Sequence, residues 1–261
     1  MDKLCIIKIG GNIIDKEEDL SAFLEKFAAL EGNKILVHGG GKMATRVAEA
    51  LEIPQQMKDG RRITDAETLK VVTMVYAGLI NKNIVAKLQQ NQCNAIGFSG
   101  ADGNMIKAKK REKGNIDYGF AGDVEEVNTA LLKKMIELGL TPVLAPITHN
   151  KAGQLLNTNA DTIAQETATA LCKDFEVTLV YGFEKAGVLM DTEDEKSVIP
   201  LLNRRNYEKY KEEKIIFEGM IPKLDNAFAA LEKGVKKVII GKATHPEELL
   251  NGTSGTTITL N

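Results

Sequence analysis

Lys8 stands in an apolar run, residues 4–9, one position before the pair Gly10-Gly11. An ammonium group inside a buried strand is costly to desolvate unless an opposite charge meets it. Next to glycines, whose backbone amides can approach an oxyanion, it points to a phosphate or a carboxylate; a frayed strand end with the amine in solvent is the plainer alternative. A second segment, His38-Gly39-Gly40-Gly41-Lys42, places three glycines between a strand and a helix. Such a run is entropically expensive unless the turn requires it. It also fits the dinucleotide fingerprint through Gly39, Gly41 and Ala44, but the acidic partner expected about twenty residues on, at the end of a second strand, is missing. Residues 54–62 are polar and do not read as a strand. A cradle for a small anionic substrate explains the loop without that partner.

Asn157-Thr158-Asn159-Ala160-Asp161 opens an amphipathic helix. Asn159 suits the N-cap and Asp161 suits the positive end of the helix, so both have structural explanations; Asn157 does not. Gly219-Met220-Ile221-Pro222-Lys223 opens another helix, where Pro222 fits the first turn. A lysine there opposes the helix dipole, which hints at a bound anion. In Arg61-Arg62-Ile63-Thr64-Asp65, Asp65 or Thr64 can cap the next helix. Arg62 can take a carboxylate in a two-pronged contact that lysine cannot reproduce, or the pair can simply be exposed.

These segments are set at the ends of regular elements. Apolar runs at 4–9, 34–38, 94–98, 142–145, 177–181 and 237–240 read as strands. Helical spacing recurs at 17–30, 42–51, 66–90, 128–138, 160–172 and 222–233. Near-continuous apolar strands alternating with amphipathic helices predict an α/β fold with an open, mostly parallel sheet sandwiched by helices. Glycine-rich residues 103–124 fit a β-hairpin insertion, with Lys109-Lys110-Arg111 as a solvated turn. If there are two lobes, their boundary falls near residues 172–174, giving 1–172 and 173–261.

The 261 residues include 43% hydrophobic side chains, enough for a sizeable core, and a formal charge of -2, which argues against a nucleic-acid binder. Cys5, Cys93 and Cys172 have neither disulfide nor zinc spacing and read as buried free thiols. His38, His149 and His245 are scattered, so no metal site is expected. No signal peptide or apolar run of about 18 residues is evident, which places the chain in the cytoplasm and away from membranes.

Taken in order, these segments resemble the amino acid kinase family over nearly the whole chain. The motifs are Lys8-Ile9-Gly10-Gly11, Val37-His38-Gly39-Gly40-Gly41, Asp59-Gly60-Arg61-Arg62-Ile63-Thr64, Gly119-Phe120-Ala121-Gly122-Asp123-Val124, Asn157-Thr158-Asn159-Ala160-Asp161 and Gly219-Met220-Ile221-Pro222-Lys223. The third, fifth and sixth narrow it to the branch acting on acylated glutamate. The resemblance implies that ATP phosphorylates the side-chain carboxylate of N-acetyl-L-glutamate or a related N-acylglutamate, a step of arginine biosynthesis. Another acid kinase of the same fold and a non-catalytic amino-acid sensor are the alternatives.

Lys8 and Lys223 would contact the migrating phosphoryl group, and Asp161 would hold them. Gly40, Gly41, Arg62 and Asn157 would bind the acid; Gly10, Gly11 and Gly187 would serve ATP, whose Mg2+ arrives on the nucleotide without dedicated protein ligands. The N-terminal lobe would bind the acid and the C-terminal lobe ATP, in a homodimer. No general base is needed, because a carboxylate of pKa ~4.3 is already ionised. The chain departs from the family pattern at Tyr181–Leu189, at Lys42 beside the glycine loop, and at His149-Asn150-Lys151, which suggests an unusual acyl group. It begins almost at its first strand, which implies a dimer insensitive to arginine.

Overall fold

The computed structural model of the chain describes residues 1–58, 61–216 and 219–261. Asp59 and Gly60, part of one motif above, lie outside the described residues. The chain opens with β1 (Lys3–Ile9), α1 (Gly11–Asp15), α2 (Glu17–Ala29), β2 (Asn33–His38) and α3 (Gly41–Ala50). A short ribbon, β3 (Gln56–Lys58) and β4 (Arg61–Ile63), leads into α4 (Ala66–Thr73), a π-helical stretch (Met74–Ile80) and α5 (Asn81–Gln90). Next come β5 (Ala95–Phe98), β6 (Ile106–Lys110), β7 (Gly122–Val127), α6 (Thr129–Glu137), β8 (Thr141–Leu144), β9 (Ile147–His149), β10 (Leu155–Asn157) and α7 (Ala160–Leu171). The last part is β11 (Glu176–Phe183), β12 (Leu201–Asn203), α8 (Arg204–Glu212), α9 (Met220–Glu232), β13 (Lys237–Lys242), α10 (Pro246–Asn251) and β14 (Thr256–Thr259).

Eight strands form one sheet in the order β12-β14-β13-β11-β1-β2-β8-β5, parallel throughout except where β14 runs against β13. Strands from before residue 172 lie on one side of the β1–β11 pairing, and later strands on the other. Side chains alternate along a strand, so each face has its own core. Leu4 and Ile6 of β1 join Ile163, Ala164, Leu224 and Phe228 of α7 and α9. Ile7 and Ile9 join Phe23, Leu24 and Phe27 of α2 and Ala44 and Ala48 of α3. The α2 residues recur at the spacing of one helix face. The same parity puts Lys8 on the face of Leu4 and Ile6, the one that α7 and α9 cover.

The expected hairpin at 103–124 is present as antiparallel β6 and β7, enlarged by β9 and β10 into a second, four-stranded sheet. Four expectations need correction. Residues 54–62 contain a two-stranded ribbon that polar composition hides: β3 is exposed along its length and has no apolar face to show. Lys109 and Lys110 belong to β6 and are not in a turn. Residues 66–90 form a continuous helical run long and apolar enough by length and composition to cross a membrane. Val71, Val72, Val75, Ile84 and Leu88 spend that apolarity in the sheet-packed core. Of the three cysteines, all free, only Cys93 is buried; Cys5 and Cys172 are partly exposed.

Candidate functional site

The C-terminal ends of β1 and β2 meet the openings of α7 and α9 in one place. The ammonium of Lys8 lies 2.6 Å from Asp161 Oδ1, and that of Lys223 lies 3.2 Å from Asp161 Oδ2. Asn159 caps α7, its Oδ1 accepting from the amides of Asp161 (2.7 Å) and Thr162 (3.2 Å). The cap fixes the first turn, so the Asp161 side chain is aimed from a rigid base. Burial alone would raise the Asp161 carboxyl, but the two ammonium groups outweigh it and hold the acid at about 2. Burial also lowers the Lys8 pKa, an effect that Asp161 opposes and Lys223 reinforces. Two ammonium groups and one carboxylate leave one net positive charge on a largely desolvated cluster, where a further anion is strongly favoured.

The glycine loop closes on the same spot. An added Cβ on Gly10 would stand 4.0 Å from Lys8 Nζ; one on Gly11 would stand 3.8 Å from Gly41 N and 3.9 Å from Lys42 N. The openings of α1 and α3 therefore face each other, with first-turn amides that have no partner inside their own helices. Gly40 has φ +149°, and a Cβ there would come 2.3 Å from Ile80 Cδ1, so glycine is required.

Beside the loop is a cavity of about 190 Å³ whose walls include Gly39–Gly41, Arg62, Tyr76, Arg111, Tyr118 and Asn157. Arg62 is buried. Its Nη2 donates to Gly41 O and Thr45 Oγ1, both at 2.9 Å, and its Nη1 donates to Gln55 Oε1. These use three of the five guanidinium donors. Among the described residues no carboxylate pairs with Arg62, which leaves a desolvated positive charge facing the cavity. Asn157 Nδ2 donates to Thr64 Oγ1 at 3.0 Å, and the Asn157 amide donates to Phe120 O at 2.9 Å. Gly119, at φ +65°, lets that wall close, since a Cβ there would lie 2.1 Å from Thr64 O.

A smaller apolar slot of about 90 Å³ opens where β11 ends, lined by Phe183, Gly187, Val188, Leu189, Ile216 and Met220. Met220 begins the helix that carries Lys223. The Val188 amide donates to Thr256 Oγ1 at 2.8 Å. A Cβ on Gly187 would lie 2.8 Å from both Thr256 Oγ1 and Val198 Cγ1.

Lys8, Asp161 and Lys223 are thus brought together, Gly10 borders Lys8, Gly11 faces the Gly41 and Lys42 amides, and Gly40, Gly41, Arg62 and Asn157 line the neighbouring cavity. Gly187 belongs to the separate slot. Lys42 and the 149–151 turn are not among the cavity's lining residues; Lys42 lines a wider groove of about 630 Å³ with Asn12, Asp15 and Arg46. Asn150 instead organises its own turn, its Oδ1 accepting from the Ala152 and Gln154 amides. The sequence reading missed Arg111. Burial-period reasoning treats a Lys-Lys-Arg run as solvated, but Arg111 leaves β6 toward the cavity, paired with Asp123 and stacked over Tyr118. The glycines and Asp123 of the facing strand were the available signal.

Residues 3–242 match the amino acid kinase family, and the chain belongs to that family. It is 59% identical over 252 residues to the acetylglutamate kinase of Cytophaga hutchinsonii, covering 96% of both chains, and 58% identical over 244 residues to that of Parabacteroides distasonis, covering 94% and 96%. Among solved structures it resembles smu.665 from Streptococcus mutans, with a TM-score of 0.82, 27% identity and 99% coverage of each chain.

Proposed function

We propose that this chain is an acetylglutamate kinase, transferring the γ-phosphoryl group of ATP to the side-chain carboxylate of N-acetyl-L-glutamate or a near N-acylglutamate, within arginine biosynthesis. The observation that carries the reading is the convergence of Lys8 and Lys223 on Asp161 beside the glycine loop. Phosphoryl transfer calls mainly for positioning and for neutralising spread negative charge. Arg62 and Asn157 hold the α-carboxylate end of the acid, while the Gly40 and Gly41 amides orient the reacting carboxylate. Lys8 and Lys223 neutralise the equatorial oxygens from two sides. Asp161 keeps the two ammonium groups apart and aimed, and the attacking oxygen, already ionised, needs no base.

The apolar slot offers Phe183, Val188, Leu189 and Ile216 to a heteroaromatic base, and its lining residue Met220 begins the helix that carries Lys223. Gly10 and Gly11 offer amides on the phosphate side, and Gly187 keeps the slot open. Mg2+ bound to ATP phosphates would add charge neutralisation there, as that ion usually keeps water and phosphate ligands. On this reading residues 1–172 form the acid-binding lobe and residues 173–261 the nucleotide lobe. The active form is a homodimer, supported by the exposed Met74 and Leu79 on one helical run. Its place is the cytoplasm, where free thiols stay reduced.

The test is ADP release with Mg-ATP and N-acetyl-L-glutamate, against N-succinyl-L-glutamate and free glutamate, with trapping of the acyl phosphate by hydroxylamine. Turnover on an N-acylglutamate and none on free glutamate is expected. Turnover on another small acid alone would point to a different kinase of this fold. Binding without turnover would point to a sensor.

A further inference from the structure

The three-glycine loop is braced from beneath by two side chains that no part of the chemistry uses. His38 ends β2 and Asn81 starts α5, and both are fully buried. His38 Nδ1 lies 2.8 Å from Gly39 O, and its Nε2 lies 3.2 Å from Asn81 Nδ2. The same Asn81 nitrogen donates to Val143 O at 3.0 Å, and Asn81 Oδ1 accepts from Lys82 Nζ at 3.1 Å. Lys82 Nζ reaches on to Gly97 O at 3.1 Å. One connected chain of hydrogen bonds thus ties the glycine loop to α5, β8 and β5.

This arrangement selects one tautomer. Val143 O can only accept, so the Asn81 nitrogen must face it; His38 Nε2, facing the same nitrogen, must accept as well. The proton then sits on Nδ1 and is donated to Gly39 O. An imidazolium would turn an N–H against the Asn81 NH2, and burial already pushes the His38 pKa down to about 4. The bond fixes the peptide that precedes Gly40, the residue whose φ of +149° sets the direction of the next amides. Glycine loops have little stiffness of their own, so the stiffness at this one comes from its neighbours: Tyr76 and Ile80 of the π-helical stretch pack against Gly40, and His38 holds Gly39.

We propose that His38 is a positioning residue for the acid substrate: held neutral with its proton on Nδ1 by Asn81, it clamps Gly39 O and so aims the Gly40 and Gly41 amides at the reacting carboxylate. The proposal rests on the acid lying against that loop, as the proposed function has it.

Two measurements test it on the full chain. With 15N-histidine labelling at neutral pH, His38 should show a protonated Nδ1 and an unprotonated Nε2; the opposite tautomer overturns the proposal. In steady-state kinetics, His38→Leu should raise KM for the acylglutamate about tenfold, the effect of one lost buried hydrogen bond, with KM for ATP within about twofold of wild type. His38→Asn, whose amide can replace the Nδ1 donor, should restore most of the acid KM while losing as much thermal stability as His38→Leu. Equal acid KM values in the two variants would reduce His38 to a packing residue. Absence of wild-type turnover on every N-acylglutamate would count against the proposed function and leave the tautomer result standing.

Discussion

The acid cavity and the apolar slot are built on different principles. The cavity wall is stitched by directional contacts between residues far apart in the chain: Arg62 to Gly41 O, Asn157 to Thr64, and Phe120 to Thr64 O. The slot is lined mainly by Phe183, Val188, Leu189, Ile216 and Met220, together with Lys185 and Thr192, and Thr256 accepts from the Val188 amide. Buried hydrogen-bonding groups reject a ligand that leaves them unpaired, whereas an apolar pocket separates ligands only by size and shape. On the proposed reading, selectivity belongs mainly on the acid side, and the nucleotide side holds its ligand by shape and by the charges of Lys185 and Lys223. On that reading the Lys8–Asp161–Lys223 cluster, between the two, serves both.

The comparison is broken most severely at that cluster. Lys8→Ala should lower kcat about 100- to 1,000-fold, the scale of removing a group that neutralises charge in the transition state. Acid binding measured by calorimetry should survive; its loss would mean that Lys8 is a binding group for the acid. Asp161→Asn leaves the buried Lys8 ammonium and the partly exposed Lys223 ammonium without a counter-charge and should cost roughly 3–5 kcal/mol in denaturant unfolding, with turnover lost as well. The same variant tests the pH dependence. The Asp161 carboxyl is depressed to about 2, below the unfolded value of about 3.9. Its contribution to stability is thus complete above about pH 4 and disappears as pH falls toward 2. Wild type should show that acid loss and Asp161→Asn should lack it; parallel curves for the two proteins would remove Asp161 as the cause.

Smaller effects sharpen the contrast between the two pockets. Arg62→Lys keeps the charge and loses the fork held by Gly41 O, Thr45 and Gln55, so KM for the acid should rise about 10- to 100-fold with kcat nearly unchanged. A change confined to KM for ATP would place Arg62 on the wrong side. Gly187→Ala pushes a methyl to 2.8 Å from Thr256 Oγ1 and Val198 Cγ1. It should raise KM for ATP by a few-fold and destabilise by about 1 kcal/mol, leaving the acid KM alone. If acid KM moved instead, the division of labour between the pockets would fail.

Much of this molecule was legible in one dimension. Apolar runs such as 34–38 and 177–181 became β2 and β11 because a strand buried on both faces tolerates little else. Asn159 and Asp65 cap α7 and α4 by contacts spanning two or three residues, so their roles were readable locally. Lys8 was conspicuous because charge inside an apolar strand demands a partner. The β3–β4 ribbon, β12, β14, α8 and α10 were not read, since short or exposed elements carry little hydrophobic periodicity.

The partner of Lys8, by contrast, depended on the fold. Strand parity places that lysine on the face covered by α7 and α9, and parallel pairing of β1 with β11 brings both helix openings to the same sheet edge. Asp161 and Lys223, 62 positions apart, meet there. Arg111 and the His38–Asn81 brace likewise gain their meaning from neighbours supplied by other elements. Chemistry that depends on a residue's own type and near neighbours is written in the sequence; chemistry that depends on which charges share a desolvated space exists only once the sheet has closed that space.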